Sequence, residues 1–120
     1  MSCVFCEKIA NNDFDHEYAG CVVFEPLNPV VPGHKLVVPR DHAESAAYDP
    51  MGASKAMYVA GLIVHDMTFY GDPPWATPQA NIITSCGTDA TQTIMHTHVH
   101  VIPRAPGDGL ILPWTNQEKK

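Results

Sequence analysis

The segment Met95–Arg104 reads MHTHVHVIPR and contains three histidines at every second position. Side chains of a strand alternate between its two faces, so this spacing predicts that one face carries His96, His98 and His100. Val99 and Val101 then face a core on the other side, and Pro103 ends the pairing because it lacks a backbone donor. The segment therefore predicts a half-buried strand whose histidine side chains form part of a functional site.

The competing interpretation of these histidines is coincidence, in which they are ordinary surface or core residues. Three of the seven histidines in the chain fall within five positions at strict period two, which favours a site. A neutral imidazole serves as a metal ligand, a general base or a nucleophile. The pattern alone leaves these three roles open.

Length and charge restrict the class of protein. The 120 residues are 45% hydrophobic, which suits one domain with a real core over residues 1–120. A net charge of -6 with only seven lysines and arginines argues against a nucleic-acid binder. The first residues lack an apolar signal region, and no run of about 18 apolar residues occurs. We therefore predict a soluble, cytoplasmic chain that does not span a membrane.

The cysteines point to a metal site at the N-terminus. Cys3 and Cys6 form a C-x-x-C pair, whereas Cys21 and Cys86 stand alone. In a reducing compartment such a pair is half of a metal site or a redox couple. A thioredoxin-type motif follows a strand, and the residues before Cys3 are too few to form one. Zinc takes four ligands, so histidines from elsewhere must complete the site. The remaining alternative is a disordered N-terminal segment whose two thiols bind no metal.

Runs of β-branched and aromatic residues predict the strands. They cover residues 18–25, 34–39 and 79–85, and the first two form a plausible antiparallel pair. Three prolines keep the loop at 26–33 out of regular pairing. The strand at 79–85 and the histidine strand form a hairpin.

Apolar residues at spacings of three and four predict an amphipathic helix over residues 49–70. Asp49 before Pro50 is typical of an N-cap followed by a first helical residue. Gly71 and the prolines after it predict the end of the helix. The apolar middle of this helix predicts deep burial or a dimer contact. A single helical turn is also predicted over residues 6–10.

The polar segment 86–93 lies directly before the histidine strand. Its backbone N–H groups, together with the side chains of Gln92 and Thr93, could hold an anionic oxygen. An ordinary connecting loop is the alternative. The neighbouring histidines favour the anion site.

Two motifs together resemble the histidine triad family. HTHVHVIP is similar to the family's H-x-H-x-H signature, and PVVPGHKLVVPRDH is similar to the loop and strand before its helix. The likeness runs from Cys3 to Trp114. It implies an α+β fold with an antiparallel sheet of about five strands and one main helix. It also implies a two-fold homodimer whose sheets join.

The resemblance implies a nucleotide-binding hydrolase or nucleotidyl transferase. Its substrates would be nucleoside phosphoramidates, dinucleoside polyphosphates or adenylylated compounds, cleaved at the α-phosphate. The middle histidine, His98, would be the nucleophile that forms a covalent nucleotidyl-histidine. By position, the other catalytic residues would be His34, Thr93 and His100. The residues that contact the purine nucleotide would be Asn28, Asn81, Gln92, Thr93 and His100.

The resemblance also implies one structural zinc ion per chain. Small bacterial members bind it through an N-terminal C-x-x-C, a histidine after the P-G-H strand and the first triad histidine. In this sequence the four ligands would be Cys3, Cys6, His42 and His96. A closed site of this type would hold the N-terminal segment 1–10 against two strands.

The sequence departs from the family pattern at two positions. Thr91 stands where many members have a glycine before the glutamine, and Pro26 stands where relatives place a residue that binds ribose. Glu25 or Asn28 could take over the ribose contact. In the C-terminal tail, 105–120, Trp114 either packs on its own core or reaches the partner's site.

Two other functions compete with catalysis by His98. One is a nucleotide-sensing or interaction module with little turnover, which the replacement of a glycine by Thr91 keeps open. The other is a hydrolase that holds all three triad histidines on one catalytic metal. A covalent adduct distinguishes catalysis by His98 from the first alternative. The effect of chelation on activity distinguishes it from the second.

Overall fold

A computed structural model describes residues 3–70 and 79–115 of the chain. Its elements in chain order are helix α1 (Val4–Ala10), strands β1 (His16–Tyr18), β2 (Cys21–Phe24) and β3 (Lys35–Pro39), helix α2 (Pro50–Tyr70), strand β4 (Ala80–Ile83), a 3₁₀ turn (Thr88–Ala90) and strand β5 (Val99–Pro103). The five strands form one antiparallel sheet in the order β1-β2-β3-β5-β4. The predicted α+β fold with a five-stranded sheet is confirmed.

The first predicted strand is wrong in its bounds. Residues 18–25 do not form one strand, because Tyr18 ends β1 and β2 begins at Cys21. Between them Ala19 and Gly20 both have positive φ values, 53° and 78°. Two such residues form the tight turn whose twist matches a hairpin. The predicted pairing of β2 with β3 is confirmed, with Val23 opposite Val37.

The histidine strand is shorter than predicted, since regular pairing begins at Val99 rather than at His96. Within β5 the faces are as predicted, whereas the predicted strand positions of His96 and His98 are wrong. Val99 and Val101 are buried in the core under α2, whereas His100 lies opposite Leu36 on the other face of the sheet. The segment before Val99 is free of ladder bonds, so His96 and His98 take positions that strand pairing does not dictate.

Helix α2 covers one face of the sheet. Its N-terminus is capped as predicted, because Asp49 Oδ1 accepts from the backbone N–H of Gly52 at 3.0 Å. The helix buries a small-residue stripe that allows close approach to the strands, formed by Ala56, Val59 and Ala60. Its predicted end at Gly71 lies outside the described residues. Within residues 3–70 and 79–115, no helix is both long and apolar enough to cross a membrane.

Helix α1 covers part of the opposite face. Cys3 is its N-cap, with the thiol accepting from the backbone N–H of Cys6 at 3.4 Å. Phe5 projects inward and packs in a second apolar cluster with Phe24 and Leu36. The histidine face of the sheet is therefore enclosed by the segment that carries the C-x-x-C pair.

Candidate functional site

The structure brings together the four residues predicted to bind zinc. The ligand atoms of Cys3, Cys6, His42 and His96 all lie within 4.8 Å of one another. Nδ1 of His96 is 3.4 Å from Sγ of Cys3, 3.5 Å from Sγ of Cys6 and 3.2 Å from Nδ1 of His42. His96 is fully buried, so it lies at the inner side of the cluster.

These separations fit a tetrahedral metal site. Zinc binds sulfur at about 2.3 Å and nitrogen at about 2.0 Å, so its tetrahedral ligands are about 3.3 to 3.8 Å apart. The cluster has N–S distances of 3.4 to 3.5 Å and an N–N distance of 3.2 Å. In addition, Nε2 of His96 lies 2.7 Å from the carbonyl of Pro39. A carbonyl only accepts, so Nε2 carries the proton and Nδ1 offers its lone pair to a metal.

The electrostatics of the thiols also agree with a cation site. Burial raises the pKa of Cys6, and the hydrogen bond to the neighbouring Cys3 thiol raises it further. Two thiolates side by side repel each other unless a cation lies between them. Zinc would supply such a charge, since it binds thiolate rather than thiol.

His98 is held by the backbone of a predicted metal ligand. Nδ1 of His98 lies 2.7 Å from the carbonyl oxygen of His96, so Nδ1 carries the proton. The lone pair is therefore on Nε2, the outer nitrogen of the ring. The Phe5 ring packs edge-on against the His98 ring at 5.2 Å. Burial lowers the pKa of His98, which keeps the ring neutral and nucleophilic near pH 7.

His34 and His100 form a second pair of imidazoles. Nε2 of His34 lies 2.9 Å from Nδ1 of His100, and the His100 ring is 5.2 Å from the His98 ring. Burial lowers the pKa of His34. Burial, with the nearby His98 and His34, lowers the pKa of His100 to about 4. The three triad histidines therefore do not converge on one point, since His96 joins the cysteines and His100 joins His34.

Two adjoining cavities open onto His98 and His100. A cavity of about 290 Å³, called the polar cavity below, combines polar and apolar lining residues: His34, Ser85, Thr91, Gln92, Thr93, His98 and His100, together with Val30, Ile83 and Ile102. A cavity of about 650 Å³ is more apolar and is lined by residues that include Phe5, Phe24, Glu25, Leu27, Leu36, Ile94, His98 and His100. Thr93, His98 and His100 border both cavities. This arrangement suits a ligand with one anionic part and one flat apolar part.

Gln92 has a structural task in the loop before the histidines. Its side-chain oxygen accepts from the N–H of Gly87, and its two N–H groups donate to the carbonyls of Glu44 and Ile94. Gln92 borders the polar cavity, yet its amide N–H groups are already used. Thr93 differs, since no hydrogen bond to its hydroxyl is found in the described part of the chain. Of the two predicted anion-binding side chains, Thr93 is the one with a free donor.

The structure places two predicted substrate contacts outside both cavity walls. Asn81 accepts from Arg104 at 2.6 Å, and Asn28 is exposed in the loop before β3. Glu25, the other residue considered for ribose, does border the larger cavity. Sequence reasoning missed Phe5, although its position between two cysteines was a signal that the metal segment would carry it to the site.

The comparisons with known proteins agree with the geometry. The family model of the HIT domain matches residues 12–107. This chain belongs to the HIT domain family. An uncharacterized HIT-like protein of Borreliella burgdorferi is 32% identical over 117 residues, which cover 89% of this chain and 78% of that protein. The predicted membership of the histidine triad family is confirmed.

Two further relatives bear on the site of this HIT protein. A crystal structure of a Zn-bound histidine triad family protein from Mycobacterium smegmatis is similar, with a TM-score of 0.70 and 27% identity over 93% of this chain and 81% of that chain. Adenylylsulfatase HINT3 of Arabidopsis thaliana is 26% identical over 90% of this chain and 55% of that protein. The first is similar in fold to the whole described domain, and the second is longer than this chain.

Thr91 of this HIT domain lies in a strained conformation at the rim of the polar cavity. Its φ and ψ are 73° and 20°, in the left-handed region that a β-branched residue rarely adopts. We expect Thr91→Gly to raise the free energy of unfolding by about 1 kcal/mol, because glycine removes the strain. Urea denaturation measures the change. Thr88→Gly, in the 3₁₀ turn, is the matched control and should lower the free energy of unfolding. A lower free energy of unfolding in both variants would contradict the proposed strain at Thr91.

The C-terminal loop of the HIT domain depends on one ion pair. Arg104 donates to Asp108 at 2.7 and 2.9 Å, and the Asp108 side chain also accepts from the N–H groups of Ala105 and Leu110. The Arg104 guanidinium and these N–H groups hold the pKa of Asp108 well below its usual range. We expect Asp108→Asn to lower the melting temperature by several degrees. Glu17→Gln, in the more exposed pair with Arg40, should change it little; equal shifts would contradict this role.

His100 should make the stability of the HIT domain depend on pH. The unfolded chain takes up this proton near pH 6.5 and the folded chain near about 4. Between these values the unfolded state binds more protons, so the free energy of unfolding falls as the pH falls. Denaturation series from about pH 7 to 5 should show a shallower slope for His100→Gln than for wild type. The exposed His16→Gln serves as control, and an unchanged slope in His100→Gln would contradict the assignment.

Proposed function

We propose that this HIT protein is a nucleotide hydrolase or nucleotidyl transferase that cleaves substrates at the α-phosphate through a covalent His98 adduct. The observation that carries the proposal is the bond between Nδ1 of His98 and the carbonyl of His96, 2.7 Å long. It leaves the Nε2 lone pair on a ring that borders both cavities. A neutral imidazole held in one tautomer is a ready nucleophile.

In the first step, the Nε2 lone pair of His98 forms a bond to the α-phosphorus as the bond to the leaving group breaks. The leaving group departs with the bonding electrons and takes up a proton from the solvent. The His98 ring becomes cationic, and the carbonyl of His96 stabilises that charge through its bond to Nδ1–H. In the second step, water attacks phosphorus and gives up a proton to the solvent, the P–N bond breaks with its electrons returning to Nε2 of His98, and a nucleoside monophosphate leaves.

The cavity walls support a purine nucleotide or a nucleotide conjugate as substrate. The phosphate would occupy the polar cavity, where the Thr93 hydroxyl is free to donate and His34 and His100 lie alongside. The base would occupy the larger cavity against Phe5 and Leu36, with the ribose toward Glu25. Contacts by Asn28, Asn81 and the Gln92 side chain stay predictions.

The leaving group is proposed from chemistry shared with one relative. The Arabidopsis protein named adenylylsulfatase has an adenylyl compound as its substrate by name, and its resemblance to this chain supports cleavage next to an adenosine phosphate. Phosphoramidates, dinucleoside polyphosphates and adenylylated compounds all place a leaving group on the same α-phosphorus. His98 attacks that atom in each case.

We propose that Cys3, Cys6, His42 and His96 hold one structural zinc ion. The ligand separations fit a tetrahedron, and the similar histidine triad protein from Mycobacterium smegmatis is Zn-bound. All four ligand positions come from the protein, which is typical of structural zinc. The ion would supply positive charge to the two thiolates and would fix the N-terminal segment. The reaction uses His98 and its neighbours.

A two-fold homodimer in the cytoplasm completes the proposal. Among residues 3–70 and 79–115 no strand pairs with the outer edge of β4, which could continue the sheet into a second copy, and α2 exposes Met57 and Tyr58 at 45% and 55%. No disulfide joins the four cysteines, all of which the structure describes, and this suits a reducing compartment.

Turnover of adenosine phosphoramidate tests the proposed function directly. Wild-type protein is expected to release adenosine monophosphate and the free amine in equal amounts, measured by chromatography. Activity should persist in buffer that contains a mild chelator, because the metal is structural. Binding of the nucleotide without any release would support the sensing module instead, and activity that stops at once on chelation would support a catalytic metal.

A further inference from the structure

A chain of hydrogen bonds runs from the backbone of the proline-rich loop to His100. The N–H of Val30 donates to Nδ1 of His34 at 3.1 Å. Nε2 of His34 then lies 2.9 Å from Nδ1 of His100. The Val30 side chain is half exposed, so its backbone amide makes the contact that matters for His34. His34 itself is buried, with 3% of its surface accessible.

The direction of donation along this chain follows from the amide at its start. A backbone N–H can only donate, so Nδ1 of His34 carries no proton. A neutral imidazole has one proton, which must then lie on Nε2 of His34 and point at His100. Nδ1 of His100 therefore accepts. The single proton of a neutral His100 must lie on its own Nε2.

Nε2 of His100, which carries this proton, is left without a partner among the described residues. None of the buried side-chain nitrogens or oxygens of these residues lacks a partner. The nitrogen is therefore accessible to a ligand, in agreement with the place of His100 in both cavity walls. Burial lowers the pKa of His34 and His100, which supports neutral rings near pH 7.

We propose that the backbone amide of Val30 is a positioning group for the active site. Acting through His34, it fixes the proton of His100 on Nε2, where a phosphoryl oxygen or the leaving atom accepts it. The centre of the His98 ring lies 5.2 Å from that of His100. The His96 carbonyl fixes His98 in the opposite tautomer, so Nε2 of His98 presents a lone pair. Two backbone groups thus assign a donor and a nucleophile to adjacent rings. This inference rests on the proposed function for its chemical purpose.

Imidazole nitrogen NMR of wild-type protein tests the proton positions without any assay of turnover. Long-range ¹H–¹⁵N spectra distinguish protonated from bare ring nitrogens. Near pH 7 we expect bare Nδ1 and protonated Nε2 in both His34 and His100, and the reverse in His98. A proton on Nδ1 of His100, or a doubly protonated ring in the pair, would overturn the proposal.

A matched pair of variants tests the role of the amide. Val30→Pro removes the N–H, whereas Val30→Ala keeps it and shortens the side chain. In Val30→Pro the His34 and His100 signals should become those of mixed tautomers. The kcat for adenosine phosphoramidate should fall by about tenfold with little change in KM, because the donor is present in only part of the molecules. Val30→Ala should keep the wild-type signals of the ring nitrogens, because it keeps the N–H; mixed tautomers in both variants would overturn the proposal.

The two measurements separate this inference from the proposed function. Wild-type spectra with the expected tautomers but no turnover would leave the hydrogen-bond chain intact and remove the proposed reaction. Turnover with a proton on Nδ1 of His100 would keep the reaction and remove the role of Val30. If Val30→Pro does not fold, the wild-type spectra alone still decide the tautomers.

Discussion

Brief incubation with an adenosine phosphoramidate is expected to add one adenylyl group to wild-type protein and nothing to His98→Gly. Intact-protein mass spectrometry after rapid acid quench measures the adduct. The Nε2 lone pair of His98 is the nucleophile in the proposed reaction, so its loss leaves no nitrogen in place to attack phosphorus. We expect the rate of monophosphate release to fall by at least about 10⁴-fold, as it does when other enzymes lose their nucleophile.

The control for this experiment is His16→Gly. His16 is exposed on β1 and has no part in either cavity wall, so this variant should form the adduct as wild type does. A dinucleoside polyphosphate should give the same adenylyl mass with a different leaving group. Equal product from wild type and His98→Gly would defeat the covalent mechanism.

Loss of the metal cluster should have the second largest effect, and it should act first on stability. Cys6→Ser removes one of four ligands and leaves the others around an incomplete site. We expect the free energy of unfolding to fall by about 3 kcal/mol or more, because a structural metal contributes its binding energy to folding. Thermal denaturation with and without a strong chelator measures the effect, and elemental analysis should find one zinc per wild-type chain.

Cys86→Ser is the matched control for the metal site, since Cys86 is exposed and lies outside the cluster. It should keep the metal and the melting temperature of wild type. The metal-free variant should also form the adduct more slowly, because the carbonyl that holds His98 belongs to the ligand His96. Unchanged stability in Cys6→Ser and after chelation would contradict a structural metal.

The family and the elements could be predicted because their signals are local. Period-two alternation placed His100 and the valines of β5 on opposite faces, and the Asp49 cap marked the start of α2. The error at residues 18–25 has a physical reason. Ala19 has a positive φ of 53°, a conformation with no strong residue signature when glycine is absent at that position. The composition of the run therefore concealed a two-residue turn.

The roles of individual polar groups could not be predicted, because they depend on which atoms meet. Asn81 has the residue type of a substrate contact, yet Arg104 holds its side chain. Gln92 is similar, since backbone groups use its amide. Residue type gives donors and acceptors, whereas only the fold determines which of them stay free for a ligand.

The sequence by itself determined the family, the fold class, and a set of histidines and cysteines whose chemistry suits metal and phosphate. Tertiary structure alone decided which histidine joins the cysteines and which histidines pair with each other. It brings Cys3 next to His96, 93 positions away in the chain, and His34 next to His100, 66 positions away. It also sets which nitrogen of each ring carries the proton. Sequence spacing fixes the face of a strand, but a tautomer depends on the donor or acceptor that the fold places against each nitrogen.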